Sequence, residues 1–189
     1  FINLDNDTSG YTLDVTDNTS SESGGTGTVT LKLKTRPFIS GSDTTESING
    51  IGATVKLNVS LDNTSEAKID SISGSKTKTL TFTSSSWDSP QTITLFGQDP
   101  DDFDEGVIGE TEDYLSGIYH VSAGLAEVDS SIRDVKYNAG SLDNQTVTLW
   151  NTDTDTAGVV FASIDNNSKE SGDNGTLEVR LRSRPYDNV

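Results

Sequence analysis

The chain has 189 residues and a formal charge of −17, from 13 Lys plus Arg against 30 Asp plus Glu. That balance excludes nucleic acid as a partner, because neutralising phosphates takes a basic face. Cys and Met are both absent, which removes disulfides, thiol catalysis and thiolate metal sites, and leaves packing or oxygen-ligated ions to supply stability.

Leu, Ile, Val and Phe together number 44, about 23% of the chain. This lies just above the share, roughly 20%, below which chains stay disordered. Ser and Thr contribute 25 each and Asn 13, so the apolar residues suffice only for a thin core, and thin cores suit β-sandwiches better than helix bundles. No apolar run is long enough to insert in a membrane. The opening residues carry no export signal, and Phe1 starts as though in mid-sequence, so the chain is expected to be a piece of a longer one.

Taken in order, apolar and polar residues alternate in short runs separated by Gly or Asn-Ser clusters. YTLDV (11–15) comes first, then a turn holding Glu22, then GTVTLKLK (27–34). ISGSDTTESINGIG (39–52) reads as an insertion before ATVKLNVSL (53–61), which is followed by Asp62. KTLTFTS (78–84) and QTITLFG (91–97) flank Trp87, which reads as a packing residue ahead of the strand-initiating Pro90. IYHVSA (118–123) contains the single His120, an ordinary strand residue with no Cys or second His to share a metal. EVDSSIRDVK (127–136) has no clear place, and QTVTLWN (145–151) is last. A period of two with Thr and Val means strands with one buried face, and Thr28/Thr30, Thr92/Thr94 and Thr146/Thr148 read as the outward faces. Seven such strands, with no window of helical period, predict an all-β chain folded as an immunoglobulin-like antiparallel β-sandwich.

One internal repeat stands out, at an offset of 148. Residues 3–38 align without a gap on 151–186, with 16 of 36 positions identical, among them Asn3/Asn151, Asp5/Asp153, Asp7/Asp155, Gly10/Gly158, Glu22/Glu170 and Gly27/Gly175. A period this long exceeds solenoid repeats and fits a whole domain. The expected organisation is therefore a tandem repeat. Residues 1–10 are the end of a preceding copy and its linker, 11–155 one complete sandwich, and 156–189 a linker with the first strands of a following copy.

Acidic residues are concentrated. Asp99, Asp101, Asp102, Asp104 and Glu105 fall within DPDDFDEG directly after QTITLFG, while Asp153 and Asp155 follow QTVTLW, and Glu22 precedes GTVTLKLK. Carboxylates so close repel unless water or a cation screens them. If the strand ends gather at one pole, the result is an oxygen-only pocket suited to Ca²⁺. Zinc is disfavoured by ligand type. An EF-hand fails on spacing, since with Asp99 as its first position Phe103 and Asp104 stand where an oxygen ligand and Gly belong.

GTVTLKLKTRP, LTFTSSSWDSPQTITLFGQDPDDFDEG and YNAGSLDNQTVTLWNTDTDTAGV resemble the Calx-beta-like repeats found in tandem in large bacterial surface proteins. The resemblance covers nearly one whole domain, and its most specific parts are the Trp87, Pro90, Gln91 segment and the Asn151, Asp153, Asp155, Gly158 junction. It implies a sandwich that binds Ca²⁺ at one end. By that resemblance the ligands are Glu22, the loop acids Asp99, Asp101, Asp102, Asp104 and Glu105, the closing acids Asp153 and Asp155, and Asp62 for the acid that follows the third strand.

The function expected is a structural repeat of a long extracellular adhesin or surface filament, stiffened by Ca²⁺ at its junctions. Its partners would be neighbouring repeats of the same chain and a cell-surface or matrix polymer. The alternative is a carbohydrate- or surface-binding module, for which Tyr114, Tyr119, Tyr137 and Trp150 are too scattered to form a platform. No enzyme is expected: there is no Gly-rich phosphate loop, no Cys nucleophile and no triad around His120, and a thin sandwich offers little cavity for a carboxyl of raised pKa.

Overall fold

Along GTVTLKL the side chains of Val29, Leu31 and Leu33 turn one way, and Thr28, Thr30 and Lys32 the other, because successive residues of a strand face opposite sides of its sheet. The first set is buried and the second is not. Repeated in each run, this alternation decides both layers. The computed structural model describes residues 7–37, 53–99, 117–126, 137, 142–154 and 158–182. Among them are β1 (Tyr11–Asp17), β2 (Thr19–Ser21), β3 (Thr26–Leu33), β4 (Thr54–Leu61), β5 (Ala67–Ile69), β6 (Thr77–Thr83), β7 (Gln91–Gly97), β8 (Ile118–Leu125) and β9 (Gln145–Thr152). β10 (Val159–Asp165) and β11 (Thr176–Leu181) follow.

The chain is an all-β sandwich of the immunoglobulin-like kind. One sheet has the order β1-β3-β7-β5 and the other β2-β9-β8-β4-β6, while β10 and β11 form a separate pair. From β3 to β8 each successive strand changes sheet, so neighbours in sequence face each other across the core. Among the described residues all strand pairings are antiparallel except β2 with β9. That exception follows from a register shift between Val15 and Asp17, since a bulge bends and twists its strand. The chain then leaves the first sheet at Asn18, whose carbonyl accepts the Trp150 amide (2.9 Å), and β2 runs alongside β9 in the second.

All seven runs read from the sequence are strands. β2 and β5 were not among them: three residues are too few to display a period. Leu31, Leu57, Ile93, Leu95, Phe82 and Leu149 are the centre of the core, buried between the sheets, and Trp87 packs against its edge as expected. The Thr92 and Thr146 side chains lie outward. The insertion at 39–52 and the segment 127–136 fall outside the described residues.

Because the core is thin, polar side chains close its ends. Tyr11 reaches from β1 across to the other sheet, donating its hydroxyl hydrogen to the Ala123 carbonyl (2.6 Å) and accepting from the Gln145 amide (3.2 Å). Gln145 answers with its side chain, donating to the Tyr11 carbonyl (2.7 Å) and accepting from the Leu13 amide (3.2 Å). The buried Tyr137 hydroxyl similarly accepts from the Thr35 amide (3.3 Å) and donates to the Gly10 carbonyl (3.1 Å).

Truncating the core should be costly and trimming the outer face should not. Leu57→Ala is expected to lower the unfolding free energy by about 2–5 kcal/mol, and Thr92→Ala to change it by no more than about 0.5 kcal/mol. Urea denaturation of the two variants checks the assignment of inner and outer faces.

Candidate functional site

β9 ends beside the start of β8, β7 beside the starts of β3 and β5, and β4 beside β8 near its start. These ends form one pole, and Asn151 is its centre. Buried near the end of β9, Asn151 uses both hydrogens and the oxygen of its amide. Nδ2 donates to the Gln98 carbonyl (2.8 Å) and to Glu66 Oε2 (3.3 Å), and Oδ1 accepts from Ser20 Oγ (2.9 Å). Its backbone amide donates to the Gly117 carbonyl (2.6 Å), and Tyr119 donates its hydroxyl hydrogen to Ser20 Oγ (3.2 Å). Gly97 closes β7 because any Cβ there would drive into the Ser21 carbonyl and the Asn151 amide oxygen.

Glu22 lies in the turn after β2, where Gly24 adopts a left-handed φ of 98° that a side chain would resist. Its backbone amide donates to the Thr152 carbonyl (3.2 Å). The carboxylate folds back under the chain leaving β9, and Oε2 accepts from the Thr154 amide (2.7 Å) and more weakly from its hydroxyl (3.4 Å). Burial pushes the Glu22 carboxyl up to about 7, against the pull of the Thr154 amide; a hydrogen bond with Asp153 and the charges of Asp153 and Asp99 push the same way. Acids from two other segments therefore act on Glu22 here, and protonation of Glu22 relieves part of the repulsion.

Asp62 has a different setting. It follows β4, where Oδ1 accepts the His120 amide (2.7 Å) and Oδ2 pairs with His120 Nδ1 (2.7 Å). Partial burial raises its carboxyl, but the hydrogen bonds from His120 and the Asn63 amide outweigh that and hold it below the usual range. Asp62 is not among the charges that act on Glu22. His120 is a strand residue, as expected, with an exposed carboxylate as its partner. Asp101, Asp102, Asp104, Glu105 and Asp155 lie outside the described residues.

Glu66, Ser20 and Gln98 were not singled out by sequence reasoning, although they build the pole. Ser20 carried a signal, being one of the positions identical with its partner 148 residues on, Ser168. Glu66 carried none: it is one acid before a three-residue strand, and its burial depends on the reach of Asn151 from the other sheet.

The donors that Glu22, Asp153 and Asp99 bring to this locality are carboxylate oxygens, which suit a hard cation such as Ca²⁺ by type. Among the described residues, no group of three or more acidic or His side chains is spaced to hold a metal ion. A cavity of about 180 Å³ elsewhere, on the outer side of the second sheet, is lined by Asn58, Ser60, Ser122 and Asn144 and has no acid in its wall. Tyr119 and Tyr137 are buried and Trp150 is half exposed, so these three make no shared surface for a sugar ring, and Tyr114 lies outside the described residues. In comparisons with known proteins, no family model and no curated protein matches the chain.

The raised Glu22 carboxyl sets a pH dependence. An unfolded Glu loses its proton near its ordinary value of 4.5, whereas the folded chain keeps it to about pH 7. Between these values the folded state binds more protons, so stability falls as pH rises through the window. Glu22→Gln, which keeps the acceptor for Thr154, should match the parent at pH 4 and melt a few degrees higher at pH 8 in chelator. Thermal scans at the two pH values decide it: a variant no more stable than the parent at pH 8 contradicts the assigned electrostatics.

Proposed function

We propose that residues 11–155 are a calcium-binding structural repeat of a long extracellular adhesin or surface filament, with Ca²⁺ at the acidic pole stiffening the domain and its junction to the neighbouring repeat of the same chain. The observation that carries this reading is the setting of Glu22, whose carboxyl is raised first by burial and further by its hydrogen bond with Asp153 and the like charges of Asp153 and Asp99. A divalent cation would relieve the repulsion that the proton relieves in its absence, and would draw in the acids of the 101–105 loop and Asp155. Glu22 and Asp153 would hold the ion directly. Ca²⁺ would supply electrostatic cross-linking between segments far apart in sequence, and no catalytic step is assigned to it.

The polar outer faces, the absence of Cys and the net charge of −17 support an exposed, soluble module whose partners are other repeats and a surface or matrix polymer. Among the described residues no helix is long and apolar enough to cross a membrane. Catalysis is not part of the reading, because Glu22 is turned onto the Thr154 backbone.

Calcium should raise the melting temperature. An ion at 100 times its dissociation constant adds about 2.7 kcal/mol, a shift of several degrees for a domain of this size. Mg²⁺ should substitute poorly, since it holds its waters and demands tight octahedral geometry. Glu22→Gln and Asp153→Asn should each remove most of the calcium-induced shift. Calorimetric titration and melting curves in calcium and in chelator test the proposal, and identical curves reject it.

A further inference from the structure

The pair β10–β11 repeats the pair β1–β3 in backbone detail as well as in sequence. Tyr11↔Leu33, Leu13↔Leu31 and Val15↔Val29 become Val159↔Leu181, Phe161↔Val179 and Ser163↔Leu177, each 148 residues on. The register shift between Val15 and Asp17 recurs between Ser163 and Asp165. In the connecting turns, the Gly24 amide donates to the Ser21 carbonyl and the Gly172 amide to the Lys169 carbonyl, at 3.0 Å in both, with left-handed φ values of 98° and 103°. At the open ends, the Lys34 amide donates to the Gly10 carbonyl (2.8 Å) and the Arg182 amide to the Gly158 carbonyl (2.9 Å).

The two hairpins differ in what covers them. Tyr11, Leu13, Val29, Leu31 and Leu33 are at most 7% exposed, whereas Val159, Phe161, Leu177, Val179 and Leu181 are between 43% and 67% exposed. These five occupy one face, because they alternate along both strands and pair across them. The opposite face carries Arg180 paired with Val160 and Glu178 paired with Ala162, as the outer face of β3 carries Thr30 and Lys32. A two-stranded sheet is marginal by itself, and a contiguous apolar face of this kind marks an interaction surface. In the first hairpin β3 has β7 on its second edge and the sheet of β4, β8 and β9 over its apolar face. Among the described residues β11 pairs with β10 alone.

We infer that the apolar face of β10–β11 and the second edge of β11 are a docking surface for one occupant, a second copy of the strands β4 to β9 that cover the first hairpin, which completes a following sandwich. Register, bulge, turn and closing bond all match the hairpin already covered by those strands, and a membrane or a sugar would require none of them. The inference deepens the repeat part of the proposed function and does not depend on calcium.

The test extends the full chain after Val189 with its own residues 42–155, so that the 148-residue spacing is kept, and follows amide hydrogen exchange of residues 158–182 in chelator. Exchange there should slow at least 100-fold in the extended chain relative to the 189-residue chain. In the extended chain Phe161→Asp should restore fast exchange, leaving β3 and β4 unchanged, while Phe161→Leu should keep the protection. Equal exchange in both chains overturns the inference. Protection that appears in the 189-residue chain and grows with its concentration also overturns it, by making a second whole chain the occupant. Because calcium is chelated throughout, a failed calcium effect leaves this result readable.

Discussion

One buried amide, that of Asn151, joins the two sheets where the core is too thin to do so. Its side chain and backbone reach the chain after β7, the segment before β5, β2 and the residue before β8. A buried polar group costs little only when all its hydrogen-bonding capacity is used, and here both hydrogens and the oxygen are engaged. Such a group tolerates one arrangement of its neighbours. The path of the chain from Asn151 through Asp153 to Thr154 is thereby held against the Glu22 turn, and the acidic pole inherits its geometry from the amide.

The pole also shows how an acidic protein distributes a charge it cannot cancel. Lys78 meets Asp70 at 2.6 Å and His120 meets Asp62 at 2.7 Å on the surface, where such pairs contribute little. Among the described residues no Lys, Arg or His pairs with Glu22, which is less exposed than Asp153 or Asp99. Concentrating the repulsion at the strand ends keeps it away from the core, where no charge could be accommodated, and places it where one cation could act on several segments at once.

Agreement between the two hairpins extends this logic along the chain. Positions that agree in identity, such as Glu22/Glu170 and Gly27/Gly175, lie at turns and strand entries where backbone geometry is demanding. Most apolar positions agree only in character, with Leu13 answered by Phe161 and Val29 by Leu177, while Leu33 is kept as Leu181 and Val15 gives way to Ser163. A sandwich core accepts such exchanges if its facing layer adjusts with it, whereas a left-handed turn does not accept a side chain at Gly24.

Amino-acid order alone determined the class of fold, because a period of two in seven runs permits strands and forbids helices. It also determined the 148-residue repeat and the outward Thr faces. It singled out Glu22, Asp99 and Asp153 together with Asp62 and five acids outside the described residues, because acids gathered at strand ends are visible without a fold. It did not reveal β2 or β5, which three residues are too short to announce, nor that Asp62 is engaged by His120, 58 residues away. Glu66 was equally hidden, its role resting on an amide in the opposite sheet. Which carboxylates meet, and which one is buried among the others, depended on how the strand ends come together across the two sheets. Such contacts join residues up to 132 apart, so only the tertiary structure could decide them.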